Sequence, residues 1–167
     1  MSAESRGNTQ DKRRLDSAET RKGRASLFAL RLICAINGVC AIIFGAVMMV
    51  FPADAPWGLS ELVPSLQAMP LPSFMLDTLF WPGLALLLVN GVANAIASAL
   101  FFVRRPVDRV ALCWALLAGV LLVCWSVFEL AFIPNALSVF YLIVGIAQIA
   151  LAVKALRSAG SLPTPKP

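Results

Sequence analysis

Four long apolar runs constrain this chain more than any other feature, at about 26–51, 80–103, 110–132 and 136–156. Each reaches the roughly 20 residues that a helix, rising about 1.5 Å per residue, needs to cross about 30 Å of hydrocarbon. Strands of a membrane barrel would instead alternate apolar and polar residues over segments of about ten, and these runs do not alternate. Water is excluded as the solvent by composition: 59% of the residues are hydrophobic and 14% charged, against about a quarter charged in soluble domains. The sequence therefore predicts an all-α membrane protein. The first run is followed by Ala53-Asp54-Ala55, which has the look of a signal-peptidase site. A secretory apolar region is only about 7–15 residues long behind a brief basic leader, so this run is expected to stay as a span.

Charge orients the spans. The fourteen Lys and Arg fall into Arg6 to Arg31, Arg104 to Arg109 and Lys154 to Lys166, and the connections 52–79 and 133–135 carry none. That opposite side holds Asp54, Glu61, Asp77 and, at the lip of the third run, Glu129. Because Lys and Arg are retained in the cytoplasm, both termini are expected inside. The fold class is an up-down-up-down four-transmembrane-helix bundle in the cytoplasmic (inner) membrane, multi-pass, with a long apolar outer loop between helices 1 and 2. The net charge of +5 reads as this topology signal and not as nucleic-acid binding. Anionic lipid headgroups are the expected partners of Arg21, Lys22, Arg24, Arg104, Arg105 and Arg109, at about 1 kcal/mol per cation.

Three regions follow: a basic tail at 1–25, the helical domain at 26–156, and a Pro-rich tail at 157–167. The first tail has no apolar period and cannot bury a core, so it is expected to be disordered or loosely helical. The second is expected to fray. The outer loop contains Pro52, Pro56, Pro64, Pro70 and Pro72, yet also Trp57, Leu62, Leu66, Met69, Leu71, Phe74 and Met75. So greasy a loop is expected to fold back onto the outer interface, with one short helix starting at Ser60. Phe51, Trp57, Phe80, Trp81 and Phe132 form the expected outer aromatic belt, and Phe28, Phe101, Phe102 and Trp114 the inner one. Small residues at helical spacing (Gly91, Ala95 and Ala99; Ala41 and Gly45; Ala115 and Gly119) mark where backbones can approach.

The chain has no histidine, the commonest metal ligand and acid–base residue. Cys34, Cys40, Cys113 and Cys124 all lie within spans and form no C-x-x-C pair. No metal, cofactor or catalytic set is implied, and an enzyme is not expected. The residues that bear on function are the polar ones inside the spans. Asn37, Asn90, Asn94 and Gln148 can form one intramembrane polar layer, serving either as packing glue or as a solute-binding layer. Arg31 has a stem long enough to snorkel. Glu129 lies one turn after Trp125, with no cation on its side of the membrane. It must be wetted, protonated, or bonded to neutral donors. Tyr141, across the tight hairpin, and Ser126 are the candidate donors, and Glu129, Trp125, Tyr141 and Ser126 form the candidate binding site.

Pro82-Gly83 opening the second run, Trp125 late in the third, and Phe140-Tyr141 with Gly145 in the fourth are features that resemble small four-helix bacterial membrane proteins of unknown function. The likeness runs over about residues 30–156 and includes the long outer loop; it implies architecture and a bacterial inner membrane. The small multidrug transporters also have four helices, but they depend on a Glu at the centre of the first, where this chain has Asn37. Two functions are expected. One is a structural or accessory subunit acting through helix–helix contacts with itself, as a homo-oligomer, or with a membrane protein partner. The other is binding or transport of a lipid, quinone or small amphiphile through an outward-facing cleft near Glu129.

Overall fold

The computed structural model describes residues 4–67, 70–103, 108–132, 134 and 136–160, with side chains from Arg21 onward except those of Lys22 and Gly160. The expected lipid contacts of Lys22, Arg104 and Arg105, the loop residue Met69 and the tail 161–167 lie outside the described residues. Four long helices make the molecule: α1 Glu4–Val50, α2 Phe80–Val103, α3 Arg109–Phe132 and α4 Ala136–Gly160. All four are long and apolar enough to cross a membrane, and no strand occurs among the described residues.

The first helix extends well beyond its apolar run. Its membrane-compatible part is Gly23–Val50, and the helix begins at Glu4, in the tail expected to be disordered or loosely helical. Residues 4–24 contain no proline and include five Arg, two Lys and two Glu. Such residues propagate a helix at little cost once the adjoining apolar segment has nucleated it.

Each helix packs against two others, α1 on α2, α2 on α3, α3 on α4 and α4 on α1. The pairs are antiparallel. Gly45 lies opposite Gly83 and Gly38 opposite Ala95, while Gly119 meets Ile149 and Gly145 meets Val123. At the basic end the interior is solid, with Leu30, Cys34, Ala97, Phe101, Ala111, Leu112, Ala115 and Ala152 all buried. Phe101 is therefore part of the core, not of an inner aromatic belt, and the guanidinium carbon of Arg31 lies 5.7 Å from its ring centroid.

The loop end is built differently. Met48, Ala55 and Leu79 are buried under Leu59, Val63, Leu66 and Leu86, so the loop caps the bundle. The loop closes where the Leu79 N–H donates to the Pro52 carbonyl at 3.0 Å. Its helical turns are Leu59–Leu62, Val63–Leu66 and Ser73–Leu76, not a single helix from Ser60. Trp57 and Gly58 both adopt positive φ, 62° and 73°. This left-handed pair turns the chain so that the first helical turn starts at Leu59, one residue before the expected start. Outside, Leu137, Phe140, Ile143 and Ile146 of α4 and Phe28, Ile36 and Val39 of α1 are exposed. Water would make that surface an aggregation site; hydrocarbon solvates it without cost.

Candidate functional site

Polar side chains meet at the bundle centre through Gln148. Its Nε2 donates to Asn94 Oδ1 at 3.0 Å and to the Ala115 carbonyl at 3.0 Å, and approaches Cys34 Sγ at 3.6 Å. One α4 side chain thus touches α1, α2 and α3. Asn94 in turn donates to the Asn90 carbonyl at 2.9 Å and to Asn90 Oδ1 at 2.7 Å. The local backbone explains the second acceptor. Leu86–Val92 is a π-helical stretch of α2, and its Asn90 carbonyl also takes the Ala93 N–H. Such wider turns leave carbonyls imperfectly engaged by the helix ladder, and the Asn94 amide completes this one. Asn37 is buried beside this chain of bonds, but its Nδ2 has no partner, and neither has Gln148 Oε1. Asn90, Asn94 and Gln148 are therefore joined, and Asn37 is not bonded to them through its amide nitrogen.

Glu129 lies near the loop end of α3 and accepts two hydrogen bonds. Trp125 Nε1 donates to Oε1 at 2.8 Å, and Ser138 Oγ donates to Oε2 at 2.7 Å. These are neutral donors, one of the three alternatives the sequence left for a carboxylate without a cation. The donor across the hairpin is Ser138, 1% exposed, in place of Tyr141. Tyr141 lies further along α4, with its ring edge-on to Phe140. Ser126 is fully buried and its hydroxyl is unpartnered, so it takes no part in holding the carboxylate. The hairpin's register carries the signal for Ser138. Gly119 with Ile149, Val123 with Gly145, and Glu129 with Ser138 are all nearly symmetric about the turn at Pro134. Counting outward from that turn reaches Ser138 before Tyr141.

Beside Trp125 the loop half of the molecule is hollow. A cavity of about 410 Å³ lies between α2, α3 and the loop. Leu66, Leu71, Met75 and Leu76 roof it; Trp81, Pro82, Ala85 and Val89 of α2 and Leu121, Cys124, Trp125 and Phe128 of α3 wall it. Its volume falls in the range of about 300–1,000 Å³ usual for small-molecule sites. Glu129 is not among the lining residues. Its effect on the cavity passes through Trp125, whose indole is both a wall and the donor to the carboxylate. Pro82, lacking an N–H, fits the first turn of α2, where no intrahelical partner is needed. The lining offers no nucleophile–base pair, and no three His, Cys, Asp or Glu among the described residues are grouped to hold a metal. What the cavity can do chemically is take up an apolar group.

Comparison with protein-family models, with curated proteins and with solved structures finds no match to this chain.

Proposed function

We propose that this chain is a multi-pass protein of the bacterial inner membrane, with both termini cytoplasmic, that binds one apolar tail of a membrane amphiphile beneath its outer loop. The observation that carries the reading is the almost wholly apolar cavity between α2, α3 and the loop. A soluble protein would collapse or hide such a space. Two of the cavity's lining residues, Trp81 and Cys124, are exposed, so it can be reached from the protein's surface. A lipid, quinone or small amphiphile could enter sideways without leaving the membrane. Glu129 acts as a positioning residue: by accepting from Trp125 and Ser138 it fixes the indole and ties α3 to α4.

The alternative is an accessory subunit that works through helix contacts. Its support was the small-residue stripes, but most of these face inward. Gly38, Gly45, Gly83, Gly91, Gly119 and Gly145 each lie against atoms of a neighbouring helix in the same chain. They are not free to form a close contact with a second protein.

Filling the cavity tests the reading. Tail-brominated phospholipid in nanodiscs should quench the fluorescence of Trp81 and Trp125 saturably. Leu121→Trp, which adds bulk inside the cavity, should weaken that binding by roughly tenfold, on the scale of losing one buried apolar contact. Glu129→Gln, which keeps one acceptor oxygen and loses the other, should weaken it less while shifting the Trp125 emission. Equal, non-saturable quenching in wild type and Leu121→Trp would leave the cavity without a ligand.

A further inference from the structure

The mouth of the cavity carries chemistry that its walls do not. Asp77 directly follows two roof residues, Met75 and Leu76, and is exposed. The chain around it folds so that Phe74 and Trp81 come together edge to face, ring centroids 6.3 Å apart, with Phe80 also perpendicular to Trp81 at 5.4 Å. An acid is thereby flanked, before and after it in the sequence, by aromatic rings that touch each other. Asp77 caps the short helix Ser73–Leu76, its N–H bonded to the Ser73 carbonyl at 2.9 Å, so the backbone fixes it next to the roof residue Leu76. Glu61, in the neighbouring turn Leu59–Leu62, and Asp54 add negative charge to the same end. No Lys or Arg occurs between Arg31 and Arg104, or between Arg109 and Lys154, so nothing at this end offsets those charges.

Each element favours one ligand charge. A cation over the face of an aromatic ring is attracted by the ring quadrupole, and tryptophan does this best. Carboxylates within about a Debye length, roughly 8 Å at physiological salt, add to that attraction and repel an anionic headgroup. Resting on the apolar-tail reading above, we propose that the ligand is a cationic amphiphile, a hydrocarbon chain ending in an alkylammonium group. Its tail occupies the cavity between Val89 and Leu121, and its ammonium is held at the mouth by Asp77, Phe74 and Trp81. An anionic lipid or fatty acid has the right tail and the wrong head.

Three amphiphiles with the same tail-brominated dodecyl chain separate the head from the tail: a trimethylammonium, an alcohol and a carboxylate. Binding is read by quenching in zwitterionic nanodiscs with a Trp57→Phe, Trp114→Phe background, in which Trp81 and Trp125 report. The ammonium should bind roughly fivefold or more tightly than the alcohol, and the carboxylate more weakly than either. Asp77→Asn should remove most of the advantage of the ammonium without changing alcohol binding, as should about 1 M salt. Equal affinities for the three heads would overturn the cationic preference while leaving the tail site in place. A carboxylate preference would overturn it as well. Saturable quenching by none of them would remove the tail site and this proposal together.

Discussion

Gln148 is the residue on which the interior turns. Its amide nitrogen reaches three other helices, while its amide oxygen is buried without a partner. Those two facts pull stability in opposite directions. Interhelical hydrogen bonds in membranes contribute about 0.6 kcal/mol on average and at most about 1.7, whereas an unsatisfied buried acceptor costs about 1–3 kcal/mol. Gln148→Leu removes both at once, so it should destabilise the bundle by no more than about 1 kcal/mol in a steric-trap or denaturant unfolding assay. Asn94→Leu should cost more, since it leaves Asn90 Oδ1 without its donor and removes one of the two oxygen acceptors of the Gln148 amide, while the unsatisfied Gln148 oxygen stays buried. A larger loss for Gln148→Leu than for Asn94→Leu would mean that the Gln148 oxygen has a partner. The amides were legible as a group in the sequence because polar residues in apolar runs stand out. Which of them bond was not, because a π-helical stretch at Leu86–Val92 changes the angular spacing around Asn90. The same holds for Glu129: its lack of a cation was legible, but its donor Ser138 needed the hairpin register.

Among the elements, the α1–α2 contact near the loop is the tightest. A Cβ on Gly83 would lie 2.7 Å from Met48 Cβ and 2.8 Å from the Gly45 carbonyl oxygen, and one on Gly45 would lie 2.8 Å from the Gly83 carbonyl oxygen. These obstacles are a side-chain root and backbone, which cannot swing away. Gly83→Ala should therefore cost about 1–3 kcal/mol through overpacking, measurable as a lower unfolding midpoint. Gly23→Ala should be neutral or slightly stabilising, because nothing lies within 4 Å of that position and Ala favours helix. Comparable losses at both glycines would place the effect in helix propensity and not in the interface. Small residues spaced by four were readable as approach points, and Gly45 and Gly91 indeed face the partner helix. Ala99, in the same apparent stripe, is exposed. A stripe on one helix does not say where the crossing ends.

At the scale of the whole molecule, the two ends differ in packing as well as in charge. The basic end is filled by Leu30, Leu112 and Phe101, and the loop end leaves a partly open cavity under a cap of short turns. If the basic end faces the cytoplasm, a C-terminal green fluorescent protein fusion should fluoresce and a C-terminal alkaline phosphatase fusion should be inactive. A cysteine placed at Asp77 should then react with an impermeant thiol reagent added outside the cell. The reverse pattern in both assays would invert the proposed orientation and put the cavity mouth on the inner side.

The amino-acid sequence alone determined that there are four helical runs long and apolar enough to cross a membrane, about where they lie and which connections carry the cations, because length, hydropathy and charge are properties of composition and order, residue by residue. Only the tertiary structure decided that the loop between α1 and α2 is a roof, that Trp125 is a wall and that Glu129 accepts a hydrogen bond from its indole. A cavity is the space left between α2, α3 and the loop, and no segment taken singly contains it. Its existence depends on crossing and register, which long-range packing sets and local pattern does not.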